Sequence, residues 1–274
     1  MTLTIGTGPF GDQAAGTFNF ELHAPERVLY LEDSPRRVRV VFNGETVADT
    51  IRAKLLHESG LTPVYYFPTG DVRMDLLERT DRSTTCPAKG DAVYWSVRVG
   101  DRVAENAAWS YPEPIASAPP LAGLVAFYFR RMDEWYEEDE RIRVHPNDPY
   151  HRVDLRRSSR HVVVSLDGEV LADSHRPLLL FETGLPTRHY LRPEDVRQDL
   201  LAPSDTVTEC PYKGEATYHH ADVNGRRHDD LVWSYQAPLH DAEPIAGYLC
   251  FFNERVDLDV DGERQERPRT HWSR

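Results

Sequence analysis

An internal repeat constrains the fold of this chain more than any other feature of its sequence. When the 274-residue sequence is shifted against itself by 124 positions, the separation of Cys86 and Cys210, residues 25–131 align with residues 149–255 without a gap. About four in ten aligned positions are identical, which is far above chance for unrelated segments. The chain is therefore predicted to contain two copies of one fold, each of roughly 110 residues.

The repeat predicts the domain organisation of the chain. The first domain is expected to span residues 17–131 and the second residues 149–257. Residues 132–148 between them contain a run of acidic side chains, which is typical of a solvated linker or an exposed helix end. Residues 1–16 and 262–274 consist mostly of small or polar residues, so both termini are expected to be mobile unless they dock on the other copy.

The pattern of apolar residues within each copy favours β-structure. Short alternating segments, bounded by Gly and Pro, predict six or seven strands. The β-branched segment 38–42 is followed by Asn-Gly at residues 43–44, which is a strong hairpin signal. One short helix is predicted after Gly70, and its counterpart in the second copy after residues 193–194. The predicted fold class is mainly β, with two tandem antiparallel domains that each carry one short helix.

The charge and the apolar pattern argue against nucleic acid and membrane as partners. The formal net charge at pH 7 is −13 and the basic clusters are short, so no broad cationic face for phosphates is expected. The longest apolar stretch, residues 121–129, is too short to cross a bilayer, and the first residues lack the pattern of a signal peptide. A cytoplasmic protein is therefore expected.

The cysteines and the common cofactor motifs give no positive signal. Cys86, Cys210 and Cys250 form an odd set without CxxC spacing, which predicts reduced thiols, no disulfide and no zinc site. The sequence contains no P-loop, no dinucleotide fingerprint after a strand, no HExxH helix and no Gly-x-Ser-x-Gly turn. Neither a metal nor a cofactor is therefore predicted.

Several motifs recur in both copies and are specific enough to indicate a family. They are Cys-Pro-x-Lys-Gly at residues 86–90 and 210–214, Trp-Ser-Tyr at residues 109–111 and 233–235, and upstream Glu-x-Gly-Leu and Asp-Val-Arg segments. Together they resemble the family called domain of unknown function 427, over nearly the whole chain and in a two-copy form. The resemblance implies a β-tent of the Mss4-like group, in which two antiparallel sheets meet over a concave pocket. Zinc-binding members of that group use paired CxxC motifs, which this chain lacks.

The Cys-Pro-x-Lys-Gly segment allows a structural and a functional interpretation. Pro biases the preceding Cys toward extended backbone and Gly permits a positive φ, so the segment is typical of a strand-turn-strand corner. Alternatively, a lysine near the thiol would favour the thiolate, or would itself bind an anionic ligand. In the functional interpretation, Lys213, Glu182 and Cys210 are the candidate catalytic residues.

The aromatic side chains predict either a core or a pocket wall. Trp109 and Tyr111 lie two positions apart, as do Trp233 and Tyr235, so each pair projects to one face of a strand. A core between sheets is the simpler interpretation, and it is compatible with rings that line one wall of a cavity. The candidate ligand-binding residues are Tyr190, Tyr218, Trp233, Tyr235, Lys89, Glu58, Tyr94, Trp109 and Tyr111.

Carboxylates and histidines add further candidates. Glu58 and Glu182 precede a Gly-Leu turn, where a carboxylate serves either as a turn acceptor, which is favoured, or as a pocket acid-base group. Histidines are concentrated in the second copy, but neighbouring strand residues face opposite ways, which argues against a metal site built from adjacent histidines. The histidines in question are His189, His219, His220, His228 and His240.

These observations leave the function class open. The leading hypothesis is a small-molecule pocket in each domain, lined by Tyr, Trp, Lys and Glu, for a polar or anionic metabolite. Both an enzyme and a pure binding protein fit it. The alternative is an interaction or scaffold protein in which duplication supplies two fixed surfaces. If one pocket alone works, the second copy is favoured, because residues 181–186 and 210–214 better match the family pattern. The oligomeric state is left open, and packing of the two copies as an internal pseudo-dimer is one option.

Overall fold

The computed structural model describes residues 2–11, 13–21 and 27–273. The chain divides into two compact units, Met1–Asp148 and Pro149–Arg274, which are called domain 1 and domain 2 below. Parts of the predicted termini and of the predicted start of the first domain, namely residues 1, 12, 22–26 and 274, lie outside the described residues.

Domain 1 consists almost entirely of β-strands. A few single-turn 3-10 helices connect them, at Thr2–Thr4, Thr69–Asp71, Met74–Leu76 and Phe129–Arg131. The strands are β1 (Leu29–Asp33), β2 (Val38–Phe42), β3 (Glu45–Thr50), β4 (Lys54–Glu58), β5 (Val64–Pro68), β6 (Leu77–Cys86), β7 (Gly90–Val99), β8 (Arg102–Ser110), β9 (Leu124–Phe127), β10 (Glu134–Glu137) and β11 (Glu140–Ile142).

Domain 2 has the same order of strands, and its short helices differ in part from those of domain 1. Its 3-10 helices are Pro193–Asp195, Gln198–Leu200 and His240–Ile245. Its strands are β12 (Val153–Arg157), β13 (Val162–Leu166), β14 (Glu169–Ser174), β15 (Leu178–Glu182), β16 (Arg188–Leu191), β17 (Leu201–Cys210), β18 (Gly214–Val223), β19 (Arg226–Tyr235), β20 (Leu249–Phe251), β21 (Asp257–Val260) and β22 (Glu263–Arg264). Within the described residues of both domains, no helix has the length and apolar composition needed to span a bilayer.

Each domain forms two antiparallel sheets. In domain 1, the seven-stranded sheet has the order β1-β4-β5-β9-β8-β7-β6 and the four-stranded sheet the order β11-β10-β2-β3. In domain 2, the corresponding orders are β12-β15-β16-β20-β19-β18-β17 and β14-β13-β21-β22. The prediction of two similar, mainly β, antiparallel domains is confirmed.

The larger sheet of domain 1 buries side chains on both of its faces. On one face, Phe67 packs with Val40 and Trp135 of the smaller sheet. Because alternate residues of a strand face opposite sides, Tyr65 belongs to this cluster and its neighbour Tyr66 to a second cluster on the opposite face. The second face carries the candidate site.

The predicted hairpin at residues 43–44 is confirmed. Strands β2 and β3 pair around Asn43 and Gly44, whose φ angles are 48° and 80°. Positive φ at both central residues is the geometry of a type I′ turn, which matches the twist of the flanking strands. In domain 2, Asp167 and Gly168 form the same turn, with φ angles of 50° and 83°.

The segment predicted as one short helix forms two separate 3-10 turns in each domain. In domain 1 they are residues 69–71 and 74–76, and Val72 between them has extended backbone. Val72 forms a β-bridge with Ala48, and the N–H of Arg73 donates to a carbonyl of β3 at 2.8 Å. Pairing with the neighbouring strand therefore interrupts the helix, and Val196 does the same in domain 2.

Residues 132–148, predicted as a linker, contain two strands of domain 1. β10 pairs with β2, and β11 pairs with β10. Trp135 and Glu137 point inward from β10, and Trp135 is only 2% exposed. The buried carboxylate of Glu137 accepts hydrogen bonds from Tyr65 at 2.9 Å and Arg36 at 2.7 Å. The segment thus forms strands that complete the smaller sheet, despite its acidic composition.

Both segments predicted to be mobile termini include residues with tertiary contacts. The backbone N–H and the hydroxyl of Thr2 donate to the carboxylate of Asp148 at 2.9 and 2.6 Å. Trp272, in the segment 262–274, packs against Phe252 with ring centroids 6.2 Å apart.

Replacing Trp135 by Ala tests the role of strand β10. Its indole packs against Phe67 and Phe129, with ring centroids 6.0 and 5.0 Å away. Because truncation of a buried Trp to Ala costs about 3–5 kcal/mol, we expect Trp135→Ala to lower the free energy of unfolding of domain 1 by that amount. Urea unfolding measures the loss. Tyr136→Ala, on the other face of the same strand, is the control, with an expected loss of about 1 kcal/mol or less. Equal effects of the two variants would contradict the prediction.

Candidate functional site

A buried ammonium–carboxylate pair is the central polar feature of each domain. In domain 1, Lys89 donates to Glu58, and the two side chains are 10% and 7% exposed. In domain 2, Nζ of Lys213 donates to both carboxylate oxygens of Glu182, at 2.6 and 2.5 Å. The Lys of Cys-Pro-x-Lys-Gly and the Glu of Glu-x-Gly-Leu therefore meet in space in both copies.

The Cys-Pro-x-Lys-Gly segment is the turn between two long strands. Cys86 ends β6 and pairs with Gly90, which begins β7. Gly90 has a φ of 100°, a region that favours glycine, and a Cβ there would lie 3.2 Å from the carbonyl oxygen of Glu113. The carbonyl of Lys89 accepts a hydrogen bond from the N–H of Ile115 at 3.1 Å. The strand-turn-strand interpretation is confirmed, and this turn carries Lys89 to its partner.

The contact between Lys89 and Glu58 also shows that the larger sheet is curved. Glu58 ends β4 and Lys89 precedes β7, four positions away in the sheet order. Neighbouring strands lie about 4.8 Å apart, so a flat sheet would separate these two strands by roughly 19 Å. Direct contact of the two side chains requires the sheet to curl toward the face that bears them. The pair therefore links two distant strands across a concave surface.

Each carboxylate has a second basic residue as a partner, which the sequence reasoning missed. Nη1 of Arg27 lies 3.1 Å from Oε1 of Glu58. His151 holds the aligned position in domain 2, and its Nε2 lies 3.0 Å from Oε1 of Glu182. The sequence did contain a signal for this partner, because both copies carry a basic residue at the aligned position.

The pair in domain 2 keeps its carboxylate ionised. Burial alone would raise the pKa of Glu182, but the ammonium of Lys213 and the hydrogen bond with His151 outweigh burial and lower the pKa from 4.5 to about 2. A carboxylate with this pKa holds no proton to donate near neutral pH. The geometry therefore favours a structural anion over the proposed acid-base role of Glu182.

Aromatic side chains form a row across the concave face of domain 1. Tyr66 of β5 and Trp109 of β8 both pair with Ala126 of the intervening β9. Because Ala126 is small, the two rings meet edge to face at 6.2 Å, and Nε1 of Trp109 donates to the hydroxyl of Tyr66 at 3.2 Å. Tyr94, directly opposite Trp109 on β7, extends the row.

Domain 2 repeats this row with a cysteine as the small residue. Cys250 lies between Tyr190 and Trp233, whose indole donates to the Tyr190 hydroxyl at 3.0 Å. Burial raises the pKa of the Cys250 thiol to about 12, so the thiol is protonated and unreactive. Cys210, the candidate nucleophile, is half-buried at the end of β17, and no hydrogen bond joins its sulfur to a described residue.

Domain 1 contains a cavity of about 490 Å³ that adjoins its concave face and also reaches side chains of the opposite face. Small-molecule sites commonly have volumes of about 300–1,000 Å³. Residues 144–146, which follow β11, form part of the wall, and the Lys89–Glu58 pair forms another part. Most of the remaining lining is aromatic: Tyr65, Tyr66, Tyr94, Trp109, Tyr111, Phe127, Tyr128, Phe129 and Trp135.

Side chains occupy the aligned region of domain 2. Arg188 stands where domain 1 has Val64, and Glu254 where domain 1 has Arg130. The two form a buried bidentate ion pair at 2.7 and 2.8 Å. The guanidinium of Arg188 also lies 5.2 Å from the ring centroid of Trp272. A cavity with the Lys–Glu pair in its wall thus lies in domain 1, whereas the sequence favours the second copy if one pocket alone works.

The structure brings the candidate residues together within each domain. In domain 1, the cavity is lined by Lys89, Glu58, Tyr94, Trp109 and Tyr111. In domain 2, one cluster contains Tyr190, Tyr218, Trp233, Tyr235 and Cys210, and the Lys213–Glu182 pair lies within the same domain. The sequence reasoning missed Tyr128, Arg130 and residues 144–146, which lie outside the repeated motifs.

The histidines selected from the sequence do not converge on a metal site within the described residues. His189 lines a separate cavity of about 250 Å³ in domain 2. Burial, together with the charges of Arg160 and Arg188, lowers the pKa of His189 to about 4. In the described part of the chain, a different group has ligand atoms close enough to hold a metal ion: His161, Asp173 and His175.

Loss of Lys213 is expected to destabilise domain 2. Lys213→Met keeps an unbranched side chain but leaves the buried carboxylate of Glu182 without its ammonium, which costs about 3–5 kcal/mol. The double variant Lys213→Met/Glu182→Met removes both charges and should recover most of the loss, because apolar replacement of a buried pair is often neutral. Chemical denaturation at pH 7 measures both variants. Wild-type stability of Lys213→Met would instead indicate a lysine held for a ligand.

The same pair predicts an acid-sensitive contribution to the stability of domain 2. Glu182 has a pKa of about 2 in the folded protein against an ordinary value of 4.5, so the ionised pair stabilises the fold fully above about pH 4.5. This contribution, about 3 kcal/mol, is lost as the pH falls toward 2. Because the double variant lacks the pair and has nearly wild-type stability at pH 7, urea unfolding should show wild type becoming less stable than the double variant by about that amount as the pH falls from 4.5 to 2. A difference that is constant with pH would contradict the prediction.

Comparison with known proteins identifies the family. No curated protein matches the chain. The family model described as Domain of unknown function (DUF427) matches residues 30–138 in domain 1 and residues 154–262 in domain 2. These matches cover most of the chain, and they include β10 and β21 of the smaller sheets. The resemblance seen in the repeated motifs is confirmed, and the chain belongs to the DUF427 family as a tandem of two copies.

Proposed function

We propose that domain 1 binds a small organic anion with a flat, apolar body. The cavity of about 490 Å³ is the observation that carries this proposal, because it combines the volume of a small-molecule site with nine aromatic rings and a few polar groups. The proposed activity is binding. Lys89 and Glu58, the ion pair in the wall, bind each other, and the ammonium of Lys89 lies 5.7 Å from the ring centroid of Tyr111.

The charges around the cavity favour an anion. Of the described lining residues, Lys89, Arg130 and Arg131 are cationic, whereas Glu58 is the one carboxylate. Lys89 and Arg27 already compensate Glu58. Arg131 donates to a backbone carbonyl, but Arg130 is exposed and makes no ion pair or hydrogen bond with the described residues. A carboxylate, sulfonate or phosphate beside Arg130 would gain charge-assisted hydrogen bonds.

The aromatic lining favours a flat ligand body. Trp109 contacts Tyr66 edge to face, and its ring centroid lies 4.5 Å from that of Tyr128. Rings held by such contacts present apolar faces at little cost in side-chain entropy. A planar ligand can stack on these faces while its anionic group remains near Arg130 at the rim.

The differences between the domains support this assignment. At the position of Arg130, domain 2 carries Glu254, which would repel an anion and is already bound to Arg188. Trp272 packs beside this ion pair. Two substitutions in domain 1, Val64→Arg and Arg130→Glu, would therefore introduce the ion pair that Arg188 and Glu254 form in domain 2.

Binding of naphthoate and of its neutral amide tests the proposal. We expect wild type to bind naphthoate more tightly than naphthamide, with NMR shift changes confined to domain 1. Arg130→Gln should weaken naphthoate binding by about tenfold, which corresponds to one charge-assisted hydrogen bond, and should leave naphthamide binding unchanged. Isothermal titration calorimetry measures both affinities.

Two further variants serve as controls. Arg226→Gln removes an exposed arginine from domain 2 and should change neither affinity. Val64→Arg/Arg130→Glu should abolish binding of both probes while the chain stays folded, because domain 2 tolerates the same pair at the aligned positions. Failure of both probes to bind wild type, or equal binding by wild type and the double variant, would overturn the proposal.

A further inference from the structure

Two histidines and an aspartate cluster at one end of the β13–β14 hairpin in domain 2. His161 precedes β13, Asp173 lies in β14, and His175 follows β14. Nε2 of His161 is 2.7 Å from Oδ1 of Asp173. The rings of His161 and His175 stack with centroids 4.0 Å apart and planes 10° from parallel. One potential ligand atom from each residue lies within 4.8 Å of the other two.

The strand register explains why these side chains share one face. Val162 pairs with Ser174, so continuation of the register places His161 opposite His175. Directly opposite residues of antiparallel strands have Cβ atoms about 4.5–5.5 Å apart. Asp173 and His175 are two positions apart on one strand and therefore project to the same side. The cluster follows from regular strand pairing.

Backbone contacts hold one end of the cluster in place. Asp261 accepts hydrogen bonds from the backbone N–H of His161 at 2.9 Å and from Nε of Arg160 at 2.6 Å. The N–H of Asp261 in turn donates to the carbonyl of His161 at 2.8 Å. These contacts link β13 to the end of β21 and fix the direction in which the His161 side chain leaves the sheet.

Domain 1 has an ordinary ion pair at the aligned positions. Arg37 donates to both carboxylate oxygens of Asp49, at 2.8 and 2.5 Å, and Ile51 stands where domain 2 has His175. A guanidinium neutralises the carboxylate but cannot ligate a metal ion. Domain 2 keeps the carboxylate and replaces the arginine and the isoleucine by two imidazoles, each of which is a metal ligand.

We propose that His161, Asp173 and His175 bind a divalent transition-metal ion of the Zn²⁺ type. Two imidazoles and one carboxylate suit Zn²⁺, Ni²⁺ or Cu²⁺, whereas Ca²⁺ and Mg²⁺ prefer oxygen ligands alone. Tetrahedral bonds of roughly 2.1 Å place ligand atoms roughly 3.4 Å apart. His161 and Asp173 have 37% and 60% exposed side chains, so small rotations bring the atoms to that spacing.

The site has three protein ligands and stands open to solvent. Such a site leaves at least one coordination position for water or another small ligand, which distinguishes it from a closed structural zinc site. Bound metal would also cross-link the two strands of the hairpin, and it would stabilise domain 2 because the unfolded chain does not present the ligands together.

Calorimetric titration of the tag-free, chelator-treated full chain with ZnCl₂ tests the proposal. We expect one Zn²⁺ ion to bind per chain, a rise in the melting temperature of domain 2, and no binding of Mg²⁺. Titration with Ni²⁺ should broaden the imidazole NMR signals of His161 and His175 selectively. His175→Gln and Asp173→Asn, both at exposed side chains, should each weaken Zn²⁺ binding by at least about tenfold.

His240→Gln is the matched control. His240 is exposed and lies 2.8 Å from the carboxylate of Asp241, but it belongs to no three-residue group of ligands among the described residues. Its substitution should leave Zn²⁺ affinity unchanged. Absence of saturable binding, or binding that is unaltered in His175→Gln and Asp173→Asn, would overturn the proposal and leave His161 and Asp173 as a hydrogen-bonded pair.

Discussion

Glu58 ends β4 and Lys89 lies in the turn before β7, and a flat sheet would hold these two strands roughly 19 Å apart. Contact of the two side chains therefore depends on the curvature of the face that bears them. Removal of two charges from water costs several kcal/mol per ion, so the pair is stable only where each group satisfies the other. Arg27 adds a second partner for the carboxylate. The curled sheet, in turn, gathers Tyr66 and Trp109 on one concave surface.

Both domains contain this Lys–Glu pair, but they differ in the side chains that lie next to it. Val64 and Arg130 leave space in domain 1, whereas Arg188 and Glu254 bond to each other in domain 2. An arginine in a buried region requires a carboxylate partner, so the two substitutions depend on each other. Trp272 then packs over the guanidinium. Changes at these two positions therefore contribute to the different surfaces of the two domains, while the Lys–Glu pair and both sheets remain the same.

Features that depend on residues adjacent in the chain could be predicted from the sequence. The hairpin at residues 43–44 and the turn at residues 86–90 are examples, because positive φ at Asn or Gly determines each turn locally. Strand β10 was missed because a single buried Trp135 stands among acidic residues. The Lys89–Glu58 contact could not be derived, since it depends on the curvature of a sheet whose strands are distant in sequence.

The candidate metal cluster was missed for a related reason. Its ligands come from two strands, and only the register of β13 against β14 brings His161 opposite His175. No contiguous motif encodes that register, so a search for spaced ligands in the sequence passes over it. The histidines that stand adjacent in the sequence, His219 and His220, were more conspicuous but lie on opposite faces of their strand.

The Cys, Lys and Gly of Cys-Pro-x-Lys-Gly each have a role in the fold, and this bears on the specificity of the proposed binding site. Cys86 closes the end of β6, Gly90 supplies the positive φ, and the side chain of Lys89 neutralises a buried carboxylate. A lysine committed to this pair cannot change partners without exposing Glu58 to the full cost of an unpaired buried charge. The repeated motif therefore builds the concave face in both domains. In the proposed binding site, selection of a ligand would fall to positions outside the motif, where the domains differ. Arg130 is such a position, and it makes no ion pair or hydrogen bond with the described part of the chain.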